Sequence, residues 1–115
     1  MNALLLVSVL LACIDAPYLW YNSGMFASTF QKIQGSPLKF RYEAAFVIYP
    51  AIAFLLSYAR SVSEAFLIGV TTYAVYDFTN YSSLTNYPLS FALQDTAWGG
   101  ILLSLGYLIK EKFMK

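Results

Sequence analysis

Three aspartates carry the chemistry that this sequence can do. Asp15, Asp77 and Asp95 each stand in a stretch dominated by apolar and aromatic residues, as in Leu10-Leu11-Ala12-Cys13-Ile14-Asp15 and Tyr76-Asp77-Phe78. An ionised carboxylate near the centre of a lone membrane helix costs about 2.5–3.5 kcal/mol on insertion scales, so it persists only where it meets a donor, water or a ligand. Held in that way it can bind a proton, a cation or a polar head group, or activate water beside a second acid. Thr79, Asn80 and Trp98 lie near these acids in the chain. They supply the hydroxyl, amide and indole N–H that would shape a pocket. Other chemistries drop out. There is no histidine and one cysteine, Cys13, which removes the usual zinc sites, Ser-His and Cys-His catalysis, and any internal disulfide. No cofactor or metal is expected. Seven Lys+Arg against six Asp+Glu leave a charge of +1, and nucleic acid is not an expected partner.

The elements that must position the acids follow from composition. Of 115 residues, 59% are hydrophobic and 11% charged, with a mean hydropathy of +0.59, against about 25% charge in a soluble domain. The chain reads as one integral, multi-pass membrane unit. The expected fold is all-α: a four-helix transmembrane bundle with spans at about 2–20, 43–60, 62–81 and 89–109. The first run, from Asn2 to Trp20, is long enough at about 1.5 Å per residue to cross roughly 30 Å of hydrocarbon. It reads as a retained span and not a signal peptide, although Leu10-Leu11-Ala12-Cys13 resembles a lipoprotein cleavage site, because no Lys or Arg precedes it. Between Tyr21 and Tyr42, Phe26, Phe30 and Ile33 fall at helical spacing. A short amphipathic helix is one reading of this segment and an irregular loop the other. Pro50 sits inside the second span as a tolerated kink. The third span begins with a capping box, Ser61-Val62-Ser63-Glu64. Pro88 is placed to open the fourth, and Lys110, Lys112 and Lys115 close it.

Four antiparallel spans bring the end of the first, the end of the third and the start of the fourth to one side of the membrane. Each aspartate then lies roughly 6–10 Å inside its boundary, at a shared level. The i, i+3, i+4 neighbours agree. Gly69, Tyr73, Asp77, Asn80 and Tyr81 make one stripe, and Asp95, Trp98, Gly99, Leu102 and Gly106 another; Ser8 and Tyr18 flank Asp15. Glycines Gly69, Gly99 and Gly106 on those faces allow close helix packing. Tyr18, Trp20, Tyr21, Tyr42, Tyr81 and Tyr87 gather near one expected interface, where an aromatic belt is the ordinary reading. Lys32, Lys39 and Arg41 in the first loop can pair with Glu43, with lipid phosphate or with the acids.

The run Tyr76-Asp77-Phe78-Thr79-Asn80, then Leu84, Pro88-Leu89 and Asp95-Thr96-Ala97-Trp98-Gly99, resembles the signature of a family of small membrane proteins, the domain of unknown function number 2177. The resemblance extends over nearly the whole chain. It implies four helices with an aspartate late in the first, matched by Asp15, and implies no activity. Where that family places a tryptophan three residues after the first aspartate, this chain has Tyr18, with Trp20 beyond it.

Three functions of different class follow. The acids form a site for a proton, cation or polar head group; or they clamp helices in a structural subunit of a larger membrane complex or viral membrane; or they are catalytic. Tyr76-Asp77 resembles the tyrosine-aspartate motif of presenilin-like proteases, but a second, glycine-flanked aspartate is missing, since Asp95 follows Ala92-Leu93-Gln94. The reading therefore leans away from an enzyme. Membrane lipid is the expected partner, with a homo-oligomer or larger membrane complex as the setting.

Overall fold

In a computed structural model the chain is all-helical, described over residues 3–37 and 41–113. Asn2, Lys39 and Lys115, which enter the sequence reading, lie outside the described residues. The helices are α1 (Ala3–Tyr21), α2 (Ser23–Gln34), α3 (Ala45–Leu56), α4 (Val62–Ser83) and α5 (Leu89–Phe113), with a 3-10 turn at Tyr42–Ala44 leading into α3. The principal extents are 47 × 25 × 21 Å, an elongated bundle with α2 folded over one end.

Local signals account for three of the helix ends. Ser61 caps α4: its hydroxyl accepts from the Glu64 N–H at 3.1 Å, and the Glu64 carboxylate accepts from the Arg60 N–H at 2.7 Å. Gly35 ends α2 in the left-handed region at φ 76, which costs a residue without Cβ little. The second expected span is shorter than its apolar run. α3 stops at Leu56, because Ser57, Tyr58 and Ala59 donate to the carbonyls of Phe54, Leu55 and Leu56 in tight i to i−3 bonds. The segment after Tyr21 resolves to a helix, α2, the amphipathic alternative.

α4 and α5 make the closest pair. A Cβ added at Gly69 would fall on the Gly99 carbonyl and 2.9 Å from the Gly100 Cα, so the two backbones touch there. α1 and α3 pack on the other side of α5, where Leu11 and Leu56 close on Gly106. Two apolar clusters result. Val7, Leu11, Ile52, Leu56, Ala65, Leu102 and Leu103 fill one end, and Phe26, Tyr87, Phe91 and Ala92 fill the other.

The expectation of four long apolar spans is met only in part. α1 alone among the described helices is long and apolar enough by itself to cross a membrane, and Tyr42–Leu56 is apolar but shorter. α4 and α5, with 22 and 25 residues, measure roughly 33 and 37 Å at 1.5 Å per residue. Their average hydropathy is lowered partly by Asp77, Asp95 and glycines that turn inward and partly by hydroxyls such as Thr71, Thr79, Ser82 and Ser83 that stay exposed, while Phe66, Leu67, Val75, Leu93, Ile101 and Leu108 face outward.

Candidate functional site

The three acids lie between the two apolar clusters. Along α5 the order is Phe91 and Ala92, then Asp95, then Leu102 and Leu103; along α1 it is Val7 and Leu11, then Asp15, then Tyr18. Asp15, Asp77 and Asp95 are all buried, Asp77 completely. Such burial requires partners. Asp15 accepts from the Tyr49 hydroxyl of α3 at 2.5 Å and from the Trp98 indole N–H of α5 at 2.7 Å. Asp95 accepts from the Tyr18 hydroxyl of α1 at 3.0 Å. Asp77 accepts from the Tyr87 hydroxyl at 3.0 Å and, at 3.5 Å, from the Thr96 hydroxyl of α5.

The three centres are joined. Tyr18 and Trp98 stack with their rings 4.5 Å apart and 4° from parallel, so the donor to Asp95 lies flat on the donor to Asp15. Thr96, the residue after Asp95 on α5, bonds Asp77, which links those two acids across the α4/α5 seam. Tyr73 of α4 stands among all three acids, with its ring over Gly99. Every donor just named is neutral, and no group of acids among the described residues is arranged to hold a metal ion. Tyr87, in the turn before α5, is 4% exposed. Its burial, reinforced by the neighbouring Asp77, pushes the phenol up from its ordinary value, so it stays a proton donor to the carboxylate.

Of the residues expected at the site, the structure brings together Asp15, Asp77, Asp95 and Trp98. Asn80 is half-buried beside Tyr76 and Tyr87. Thr79 is exposed, and its carbonyl accepts from Ser82 and Ser83 at the helix end. Two residues from Asp77 is about 200° around a helix, and Thr96 from the facing helix reaches the acid instead. Ser8 is buried, but its hydroxyl turns back to the Leu4 carbonyl. The expected aromatic belt divides: Trp20, Tyr21, Tyr42 and Tyr81 face outward, whereas Tyr18 and Tyr87 turn in to the acids. Lys32 and Arg41 are exposed. The donors Tyr49, Tyr87 and Thr96 had no signal in single-helix periodicity, because each comes from a different element than the acid it serves.

A family model described as predicted membrane protein, DUF2177, matches residues 1–109. The chain belongs to this family. DUF2177 is described as a family of predicted membrane proteins of unknown function, and α1, α4 and α5 of this chain carry exposed apolar side chains. No curated protein and no solved structure matches the chain. The DUF2177 match runs through all three aspartates and every donor named above.

Proposed function

We propose that this protein crosses the membrane four times, through α1, the Tyr42–Leu56 segment, α4 and α5, and that Asp15, Asp77 and Asp95 form an intramembrane site that takes up and releases a proton. Asn80 and Trp98 complete it. The observation that carries this reading is inside-out polarity: the helix exteriors are lined by Leu, Ile, Val and Phe while three carboxylates are buried between them. Ionisable groups in that position face a cavity or one another and mark ion or proton pathways. Among the ligands open to an acid site, the donor set favours a proton over a metal cation. Hydroxyl and indole hydrogens already point at the carboxylate oxygens, and a cation needs those lone pairs free. The test is a pH-sensitive dye inside proteoliposomes. Proton flux or uptake is expected for the native protein and lost in Asp77→Asn with insertion intact. Native vesicles silent to an imposed pH step and to a membrane potential would refute the reading.

A second reading has its own support. Tyr49, Trp98 and Tyr18 each bond an acid on another helix, as clamps would in a structural subunit of a larger membrane assembly. Interhelical hydrogen bonds average only about 0.6 kcal/mol in membranes. Three costly acids are a poor way to obtain that. If Asp77→Asn misassembles and the native protein co-purifies with fixed partners, the clamp reading prevails.

A further inference from the structure

We propose that α2 is a lid that closes the carboxylate layer from the water side and opens by exchanging its seat on α5 for the membrane surface. Its inner face is Met25, Phe26, Phe30 and Ile33, packed on Tyr87, Phe91 and Ala92. Tyr87 lies directly between this face and Asp77: Phe30 touches its ring, and its hydroxyl bonds the acid. Phe26 meets the edge of Tyr18, whose hydroxyl bonds Asp95. α2 therefore covers the donors of two of the three acids, and lifting it uncovers both.

Opening has an alternative resting place. The outer face of α2 carries exposed Ser23, Ser28, Gln31 and Lys32. An amphipathic helix with such a face lies stably at the level of the head groups with its apolar side in the acyl boundary. Phe26 and Phe30 thus exchange one apolar surrounding for another, and the open state escapes the exposure to water that a detached helix of a soluble protein would suffer. The polar contacts that hold the closed position are long. The Asn86 amide donates to the Lys32 carbonyl of α2 at 3.5 Å, and at the base of α2 the Gln94 amide donates to Asn22 and to the Tyr18 hydroxyl of α1, both at 3.3 Å. Bonds of this length and exposure hold weakly. The pivots are also present: Asn22 alone separates α1 from α2, and Gly35 turns the chain at the far end. Gln94 ties the pivot Asn22 to the site, since the tyrosine it also contacts is the one bonded to Asp95.

The test measures access alone, so it stands or falls separately from proton transport. Full-length protein in proteoliposomes is treated on both faces with a water-soluble carbodiimide and glycine methyl ester, and modification of Asp77 and Asp95 is followed by mass spectrometry. In a Cys13→Ser background, Phe26→Cys with Phe91→Cys is joined by a short reducible thiol linker. The linked protein is expected to react at least about fivefold more slowly than the same protein after reduction, and Gln94→Ala faster than native, as local opening controls exposure. Equal rates in the linked and reduced forms overturn the proposal. So does complete absence of modification in the reduced form, because a segment that never lifts is no lid.

Discussion

The α2 cap and the α1/α4/α5 bundle solve opposite solvent problems within one short chain. In the cap, aromatic side chains face in and Ser, Gln and Lys face out. In the bundle, Phe66, Leu67, Val75, Leu93 and Ile101 face out while aspartates face in. The first pattern is that of a helix at a water boundary and the second that of helices in lipid. Their meeting point is Tyr87 and Tyr18, whose rings belong to the cap's apolar cluster and whose hydroxyls belong to the acids. On the proposed four-span topology the molecule changes solvent regime across the length of one tyrosine side chain, with the acid layer at that boundary.

Substitutions can break this contrast, and the largest effect is expected in the bundle. Gly69→Leu drives a side chain into the Gly99 carbonyl. No rotamer relieves a clash with backbone, so a loss beyond about 4 kcal/mol is expected, seen as aggregation on size-exclusion chromatography in detergent. A monodisperse, helical Gly69→Leu protein would show that α4 and α5 are not so close. Next comes Asp77→Ala, which strands the Tyr87 and Thr96 hydroxyls. Unsatisfied buried donors cost about 1–3 kcal/mol each, and thermal unfolding monitored by circular dichroism should shift down by several degrees. An unchanged midpoint would mean that Asp77 is not held as described.

In the cap, the same kinds of change should stay local. Phe26→Ala removes a buried ring from α2, yet global stability should move by less than about 1 kcal/mol because the lid can detach as a unit. Hydrogen exchange is the sensitive measurement: faster exchange is expected over Ser23–Gln34 with α4 and α5 unaltered. Faster exchange throughout would join cap and bundle into one cooperative body. The smallest effect is expected at Gly24, where an added Cβ meets nothing within 4 Å. Gly24→Ala should be neutral or stabilising by up to about 1 kcal/mol through helix propensity, the counterpart of Gly69 with the opposite sign.

Periodicity within one helix was enough to find the acids, their inward faces, the packing glycines and the Ser61–Glu64 cap. It could not find what lies across a helix interface. Tyr49 looks like one more aromatic beside Pro50, and Tyr87 like a belt residue before Pro88; only the assembled bundle shows each hydroxyl aimed at a carboxylate. Thr79 misled for the converse reason, being adjacent in sequence and turned to the opposite side of the helix. The early end of α3 was hidden because Ser57 and Tyr58 continue an apolar run whose hydrogen bonding has already tightened.

The wide sequence separations around Asp15 impose an order on biogenesis. Its two donors arrive 34 and 83 residues later in the chain. At about 5–20 residues per second of synthesis, the second partner emerges roughly 4–17 s after the acid. Until then Asp15 has at most Tyr49 as a companion, and on the proposed topology the first helix has reason to linger beside the insertion machinery until the last one comes through. Release into the bilayer would then be timed by a tryptophan near the far end of the polypeptide.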